Sequence, residues 1–350
     1  MIIVQSVNEE LVDAYTAYVA RQPEARFGHD LEWAMALRDA YGIAIEHLVA
    51  LENEKVVGIC PLFFSKPIFG GAHYVTSPFP SYIGPLYDSL PILVATLDMI
   101  KSKTVEAQFA EVLSPVALPM SDSASASLPF IDKLDFTYRL RLDADIEKIF
   151  HTFSRDYKRI LRKPEALKDM ELIVDSDGTF MDQFYKLYVS IYAGKHGFIP
   201  HTRRLFQKIL ARYPEGSIRI YLARINNKYI GAMFTLWTHN EVYYAWSAVL
   251  SNAIHHPTHW LLWKIIQDAA SAGYHWFNMG ESARHHHGLN HFKQGWGTEV
   301  LEPCRYFIPG KVPMPTVRLF DRVSWAKRII SRLPAVAITN ILSPAIRFFL

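Results

Sequence analysis

The apolar and polar positions of this chain spell one pattern twice. Positions 48–58 read LVALENEKVVG and positions 221–231 read YLARINNKYIG. Aligned without gaps, Ala50, Asn53, Lys55 and Gly58 match Ala223, Asn226, Lys228 and Gly231, and Val49/Leu222 and Val57/Ile230 are similar pairs. Each copy is an apolar run, a short polar turn and a second apolar run, which predicts a β-hairpin. Each follows a helical stretch (32–40 and 202–213) and continues into a further apolar strand (59–64 and 232–237). The same order of elements recurring at an offset of 173 residues points to two copies of one α/β unit.

Elsewhere the pattern is read element by element. Prolines and Gly84 forbid a long helix over 74–86. A helix is predicted over 91–101, a strand over 108–113, a small-polar loop over 120–127 and a strand over 136–142. The second half opens with a helix over 145–163, then a strand over 170–174. Phe184, Leu187, Tyr188 and Ile191 fall at helical spacing and predict a helix over 180–192. A strand over 241–249 leads to a helix over 257–272, with Pro257 at its start and Gly273 just past its end. A buried strand over 274–279, a short helix within 288–297 and a last strand over 303–308 complete the series. The expected division is a first domain over 1–143, a second over 144–310 and a tail over 311–350.

Composition narrows the class. At 350 residues the chain exceeds what one hydrophobic core usually supports, and 50% hydrophobic with 20% charged residues is a globular balance. Cys60 and Cys304 are the only cysteines and neither lies in a CxxC pair, so neither a disulfide framework nor a thiolate metal site is expected, and a reducing compartment is the simpler reading. The start, MIIVQSVNEELVDAY, lacks the basic and apolar regions of a signal peptide, and no run of about 20 apolar residues predicts a spanning helix. No GxxxxGK[ST] or GxGxxG is present, so ATP- or NAD-dependent chemistry has no support. Histidines cluster at 255, 256, 259, 285, 286, 287 and 291, but without HExxH spacing; a metal site is not predicted, while one of them could serve as a base.

Charge is uneven. Positions 305–350 hold eight Lys or Arg against Asp321 alone, a net +7, while the rest of the chain is net −4. Within 316–333, Val317, Leu319, Phe320, Val323, Trp325, Ile329, Ile330 and Leu333 oppose Arg318, Arg322, Lys327, Arg328 and Arg332. A cationic amphipathic segment suits an anionic membrane surface, and packing on the first domain is the alternative.

Four stretches carry a resemblance. They are Ala245-Trp246-Ser247-Ala248, the helix from Pro257 to Trp263, Gly273 with Trp276-Phe277-Asn278-Met279-Gly280, and Gly288-Leu289-Asn290-His291-Phe292-Lys293-Gln294-Gly295-Trp296-Gly297. With 154–162, they resemble the Fem family of peptidoglycan aminoacyl transferases, a branch of the acetyltransferase (GNAT) superfamily, over roughly 154–308. The resemblance implies an α/β fold of two tandem GNAT-like domains, mixed sheets flanked by helices, facing a shared cleft. It implies N-acyl transfer with no bound cofactor, acyl-CoA or aminoacyl-tRNA serving as co-substrate. It also carries to Lys293 the family's oxyanion-stabilising role.

The residues fit that chemistry. Acyl transfer to an amine passes through a tetrahedral oxyanion, which a fixed cation stabilises, and Lys293 lies between Gly288 and Gly297 where a ligand can approach closely. Glu281, at a strand end, could orient the amine or take its proton. Arg284 and His291 join the substrate-binding set. Arg155, Lys158, Arg159, Arg162 and Lys163 share one helix face opposite Phe150, Phe153, Tyr157, Ile160 and Leu161, a stripe suited to phosphate. Tyr82 is a candidate for the acceptor cleft from the first half, and Tyr244, Trp246 and Ser247 from the second. The glycine-rich pyrophosphate loop of CoA-binding acetyltransferases is not evident after Ser247; positions 252–259 are rich in His and Pro instead.

Three readings stay open. The first is acyl or aminoacyl transfer to an amino group of a peptidoglycan-type envelope precursor, on the cytoplasmic side and peripheral to the inner face of the membrane through 316–350. The second is acyl-CoA-dependent transfer to an amino sugar of an exopolysaccharide or to an amino-lipid of sphingoid type. The third is a non-catalytic membrane- or anion-binding protein of the same fold. The partners are thus an anionic precursor or lipid and either acyl-CoA or charged tRNA, with oligomeric state open.

Overall fold

The computed structural model describes residues 1–67, 71–79, 81–119, 130–133, 135–163, 169–250, 256–310, 330 and 332–346. The chain divides into two compact units, one built mainly from 1–136 with 301–320, the other mainly from 137–300.

In the first unit the strands are β1 (Ile2–Ser6), β2 (Ala44–Ile45), β3 (Leu48–Glu52), β4 (Lys55–Cys60), β5 (Phe63–Ser65), β6 (His73–Val75), β7 (Leu86–Tyr87), β8 (Phe109–Ser114) and β9 (Phe130–Asp132), with helices α1 (Val12–Arg21), α2 (Leu31–Tyr41) and α3 (Leu90–Lys103). One sheet has the order β1-β3-β4-β7; the other runs β2-β5-β6-β8, then Cys304–Pro309, then β9. Alternation along β3 and β4 sorts the core. Val49 and Ile59 join Tyr15, Tyr18 and Val19 of α1, while Leu48 and Cys60 join Leu93, Leu97 and Ile100 of α3.

The second unit holds β10 (Asp135–Arg141), β11 (Glu171–Asp175), β12 (Ile218–Ile225), β13 (Lys228–Thr238), β14 (Glu241–Val249), β15 (Trp276–Ala283) and β16 (Glu299–Leu301) in one sheet of order β11-β12-β13-β14-β15-β10-β16. Its helices are α4 (Ile146–Thr152), α5 (Arg155–Leu161), α6 (Met181–Val189), α7 (Arg203–Arg212), α8 (Pro257–Ser271) and α9 (His287–Gln294). Helix α6 packs on β13, and α8 packs on β12 and β13.

The repeat is structural. Both hairpins turn through two residues with positive φ, Asn53 and Glu54 in one and Asn226 and Asn227 in the other, as a two-residue I′ loop requires. Both carry a bulge at the same point: register shifts between Ala50 and Leu51 and between Ala223 and Arg224. Gly58 and Gly231 then face a helix closely; a Cβ at Gly58 would lie 2.5 Å from Ile92 of α3, and one at Gly231 would lie 3.0 Å from Leu261 of α8.

Three expectations change. The strand expected at the end of the first domain, now β10, lies between β15 and β16 in the second sheet, and the strand expected last in the second domain, Cys304–Pro309, pairs with β8 and β9. The helix expected over 145–163 is two helices, because Ser154 Oγ accepts from Tyr157 N–H at 3.3 Å and starts a new one, while Ser154 N–H donates to Gly295 O at 2.8 Å. The helix expected over 180–192 gives way to a π-helical turn, Ser190–Lys195. The polar loop at 120–127 and most of the tail lie outside the described residues. Of the tail's described end, Ser343 is buried beside Tyr185 of the second unit. Among the described residues no helix is long and apolar enough to cross a membrane.

Candidate active site

In the second unit β14 and β15 run parallel, but they pair only from Glu241/Trp276 to Tyr243/Asn278. Beyond that point β14 continues to Val249 along β13 alone. On β14, Ala245 is bulged out of register with β13, between the pairs Phe234/Trp246 and Thr235/Tyr244. A central strand covered by helices should be buried throughout. Instead Tyr243, Tyr244, Ala245, Trp246 and Ser247 are all only half-buried, whereas β13 is buried from Gly231 to Trp237. The parted strands therefore form an opening, lined on one side by the stretch of β14 that no longer pairs with β15.

Glu281 faces this opening from β15. Its carboxylate accepts a hydrogen bond from the Tyr243 hydroxyl at 3.1 Å. The preceding residue, Gly280, has φ +70°, in the left-handed region that a side chain disfavours. That turn breaks the alternation of the strand, so the successive carbonyls of Gly280 and Glu281 both accept from Lys293 Nζ, at 3.0 and 2.9 Å. Lys293 is 4% exposed, on α9, with its ammonium 5.5 Å from the Tyr138 ring centre. Two of its three donors are thus engaged with main chain. Burying an ammonium in such a place requires partners of this kind. Helix α9 is tied to the same strand by Asn290, which meets Ser282 Oγ and the carbonyls of Ala283 and Arg284.

Along the parted edge, Tyr244 lies at the Ser247 side chain, and burial pushes its phenol up from the ordinary value. Tyr192, from the π-helical turn, is pushed up to about 12 by burial, with the Ser247 backbone beside it. Trp246 is held edge-on between Phe206 and Phe234.

The cations form a second feature. Arg155, Arg159, Arg162 and Lys163 are exposed; Lys158 is half-buried and donates to His151 O at 3.1 Å. Because of the break at Ser154, the stripe belongs to α5 and its end alone. Arg159 pairs with Asp156 and Arg162 lies over Phe150. Burial and the Lys163 charge lower the pKa of His256, which places Lys163 beside the start of α8. That start offers few donors. Pro257 has no N–H, and the amides of His259 and Trp260 both bind His256 O, leaving Thr258. Behind it, Phe153, Tyr157, His259, Phe292 and Trp296 pack ring on ring, with Tyr157 Oη donating to Phe292 O at 3.0 Å. Burial lowers His259 to about 4, so it stays neutral and is poorly matched to base work at pH 7.

The predicted residues separate accordingly. Lys293 and Glu281 meet at the end of β15, while Tyr244, Trp246 and Ser247 lie on β14 beyond its pairing with β15. Arg284 follows β15 and His291 is exposed on α9. Tyr82 is a core residue of the first unit: it is 2% exposed and its hydroxyl donates to Asp135 at 2.9 Å, near the Arg305–Glu111 ion pair. Tyr243 and Asn278 were missed. Asn278 and Gly280 inside an apolar strand were the available sign, since such residues mark an irregularity. Among the described residues no three His, Cys, Asp or Glu side chains converge as a metal site.

Comparison with known proteins bears on the fold. Residues 151–294 match the acetyltransferase (GNAT) domain model. The fold is similar to that of FemX, with a TM-score of 0.68 at 15% identity over 87% of this chain and 97% of that one. It is also similar to L-PGS from Bacillus licheniformis (TM-score 0.53, 12% identity, 95% and 99% covered), and to a tandem GNAT protein from the clavulanic acid biosynthesis pathway (TM-score 0.51, 13% identity, 88% and 97% covered). No curated sequence matches the chain.

Proposed function

We propose that this chain, an acyltransferase with a GNAT domain at 151–294 and a Fem-like tandem fold, moves an acyl or aminoacyl unit onto an amino group of a cell-envelope precursor. The observation that carries the reading is the Glu281 carboxylate, oriented by Tyr243 at the opening between β14 and β15. In this reaction the amine nitrogen forms a bond to the donor carbonyl carbon. The amine gives a proton to Glu281, the C–O or C–S bond to the donor breaks, and the departing oxygen or sulfur takes up a proton. The developing oxyanion lies at the opening between β14 and β15, where fixed main-chain dipoles can stabilise it. Lys293 contributes from beneath: its charge neutralises two carbonyls that would otherwise repel an oxyanion.

The fold similarities to FemX and to L-PGS support an acceptor of the envelope. The GNAT domain itself favours acyl-CoA as donor. The start of α8, poor in N–H donors and flanked by the α5 cations, favours a donor whose phosphates are held by side chains, and charged tRNA fits that better. An amino sugar or amino-lipid acceptor with acyl-CoA is the second reading. The GNAT domain leaves the non-catalytic reading without support. A cytoplasmic, membrane-peripheral site of action would suit a lipid-linked acceptor. Incubating the purified protein with either donor and envelope precursors, followed by mass spectrometry, tests this. A mass gain on an amine is expected, and no consumption of acyl-CoA or aminoacyl-tRNA sinks the reading.

A further inference from the structure

A ring of hydrogen bonds surrounds the point where β14 and β15 part. Glu241, 5% exposed, accepts from Asn278 Nδ2 at 3.0 Å. Asn278, 1% exposed, accepts from Gly280 N–H on its Oδ1 at 2.8 Å. The Gly280 carbonyl is bound by Lys293, which also binds the Glu281 carbonyl. The Glu281 carboxylate then meets the Tyr243 hydroxyl. Glu241 and Tyr243 are two residues apart on one strand, so both lie on the same face of β14 and the ring closes where it began. A left-handed glycine at the point where β15 loses β14 as a partner is a soft joint. Its N–H would otherwise move with the loosened end of β15. The Asn278 carboxamide fixes that N–H, and buried Glu241 fixes the carboxamide.

We propose that Asn278 is a positioning residue for Glu281: through Gly280 and Lys293 it sets the direction in which the carboxylate enters the opening. The proposal rests on the reading of Glu281 as the group that takes the amine proton. No contact of Asn278 with substrate is involved.

The test uses the full-length protein with Asn278→Ala and Asn278→Asp. In Asn278→Ala, kcat should fall about 10- to 100-fold, the cost of a small misplacement of a reacting group. The KM for the donor should stay within about threefold, because no ground-state contact is lost. Amide exchange at Gly280 should speed up about tenfold or more, with the rest of β15 unchanged. Asn278→Asp covers the case in which the alanine variant fails to fold. Its protonated carboxyl offers the same acceptor and donor, so its rate relative to the parent should recover as pH falls toward about 5. Parent-like kcat and Gly280 exchange in both variants overturn the proposal, as does equal loss in kcat and donor affinity. If the unsubstituted protein consumes neither donor, the transferase reading fails on that result, and the Gly280 exchange rate still decides whether Asn278 holds the joint.

Discussion

Replacing Lys293 with Met removes a charge from the centre of the site and keeps most of its volume. The ammonium now donates to the carbonyls of Gly280 and Glu281 at 3.0 and 2.9 Å. Bonds to a charged group contribute about 1.5–3 kcal/mol each, so about 3–6 kcal/mol of interaction is lost. Against this, at 4% exposure, stands the relief of not burying an ammonium, itself several kcal/mol. The two are of similar size, so net stability should change by less than about 2 kcal/mol, or under about 8 °C in Tm for a unit of this size. The reaction has no such offset. With the charge gone and Gly280 released, Glu281 and the field at the opening both suffer, and kcat should drop about 10²- to 10³-fold, the usual effect of one preorganised electrostatic group. Calorimetry and single-turnover mass spectrometry measure the two quantities on one sample. A variant with parent-like kcat and unchanged Tm refutes the reasoning. So does one whose lost rate is fully explained by unfolding.

Other consequences follow from single contacts. Tyr243→Phe removes the hydroxyl that orients Glu281 and should lower kcat about tenfold in steady-state turnover, with little change in urea midpoint. Gly58→Ala forces a Cβ to 2.5 Å from Ile92, and should cost about 1–3 kcal/mol in urea unfolding, more than Gly231→Ala, which meets Leu261 at 3.0 Å. His47 is fully buried and lowered to about 4 by desolvation, its Nδ1 accepting from Leu62 N–H. Its folded pKa lies below the unfolded value near 6.5, so the unfolded chain takes up the proton first and stability falls from about pH 6.5 down to about pH 4. Thermal midpoints across that window should fall less steeply in His47→Asn, which keeps an acceptor for Leu62. If charged tRNA is the donor, the Arg155→Ala/Arg159→Ala/Arg162→Ala variant should weaken its binding and flatten the salt dependence of log Kd; a slope equal to that of the parent excludes these cations from contact with the phosphates.

The sequence disclosed what local rules govern and hid what distant pairing governs. The repeated hairpin was legible because an Asn-centred two-residue turn and its flanking strands are written in eleven adjacent residues. Its shared bulge was not, since a bulge is a property of two strands. The exchange of β10 and Cys304–Pro309 between sheets was hidden for the same reason: each reads as a strand, and neither carries a mark of its neighbour. At the site the difference has chemical weight. Lys293 and Glu281 could be named from their stretch, but their relation could not, because the 2.9 Å bond runs from one residue's ammonium to the other's backbone across twelve positions. A lysine read alone suggests a cation offered to substrate. The same lysine, buried and holding two carbonyls turned together by Gly280, is first a fixture of the strand end. Its charge reaches the reaction through the opening it holds in shape. If direct contact with an oxyanion turned the ammonium away from one of those carbonyls, it would cost about the 1–3 kcal/mol of a buried acceptor left unmet. That exchange is measurable: a transition-state analogue that recruits Lys293 should free the Gly280 carbonyl and shift its infrared band, while one that does not should leave the band in place.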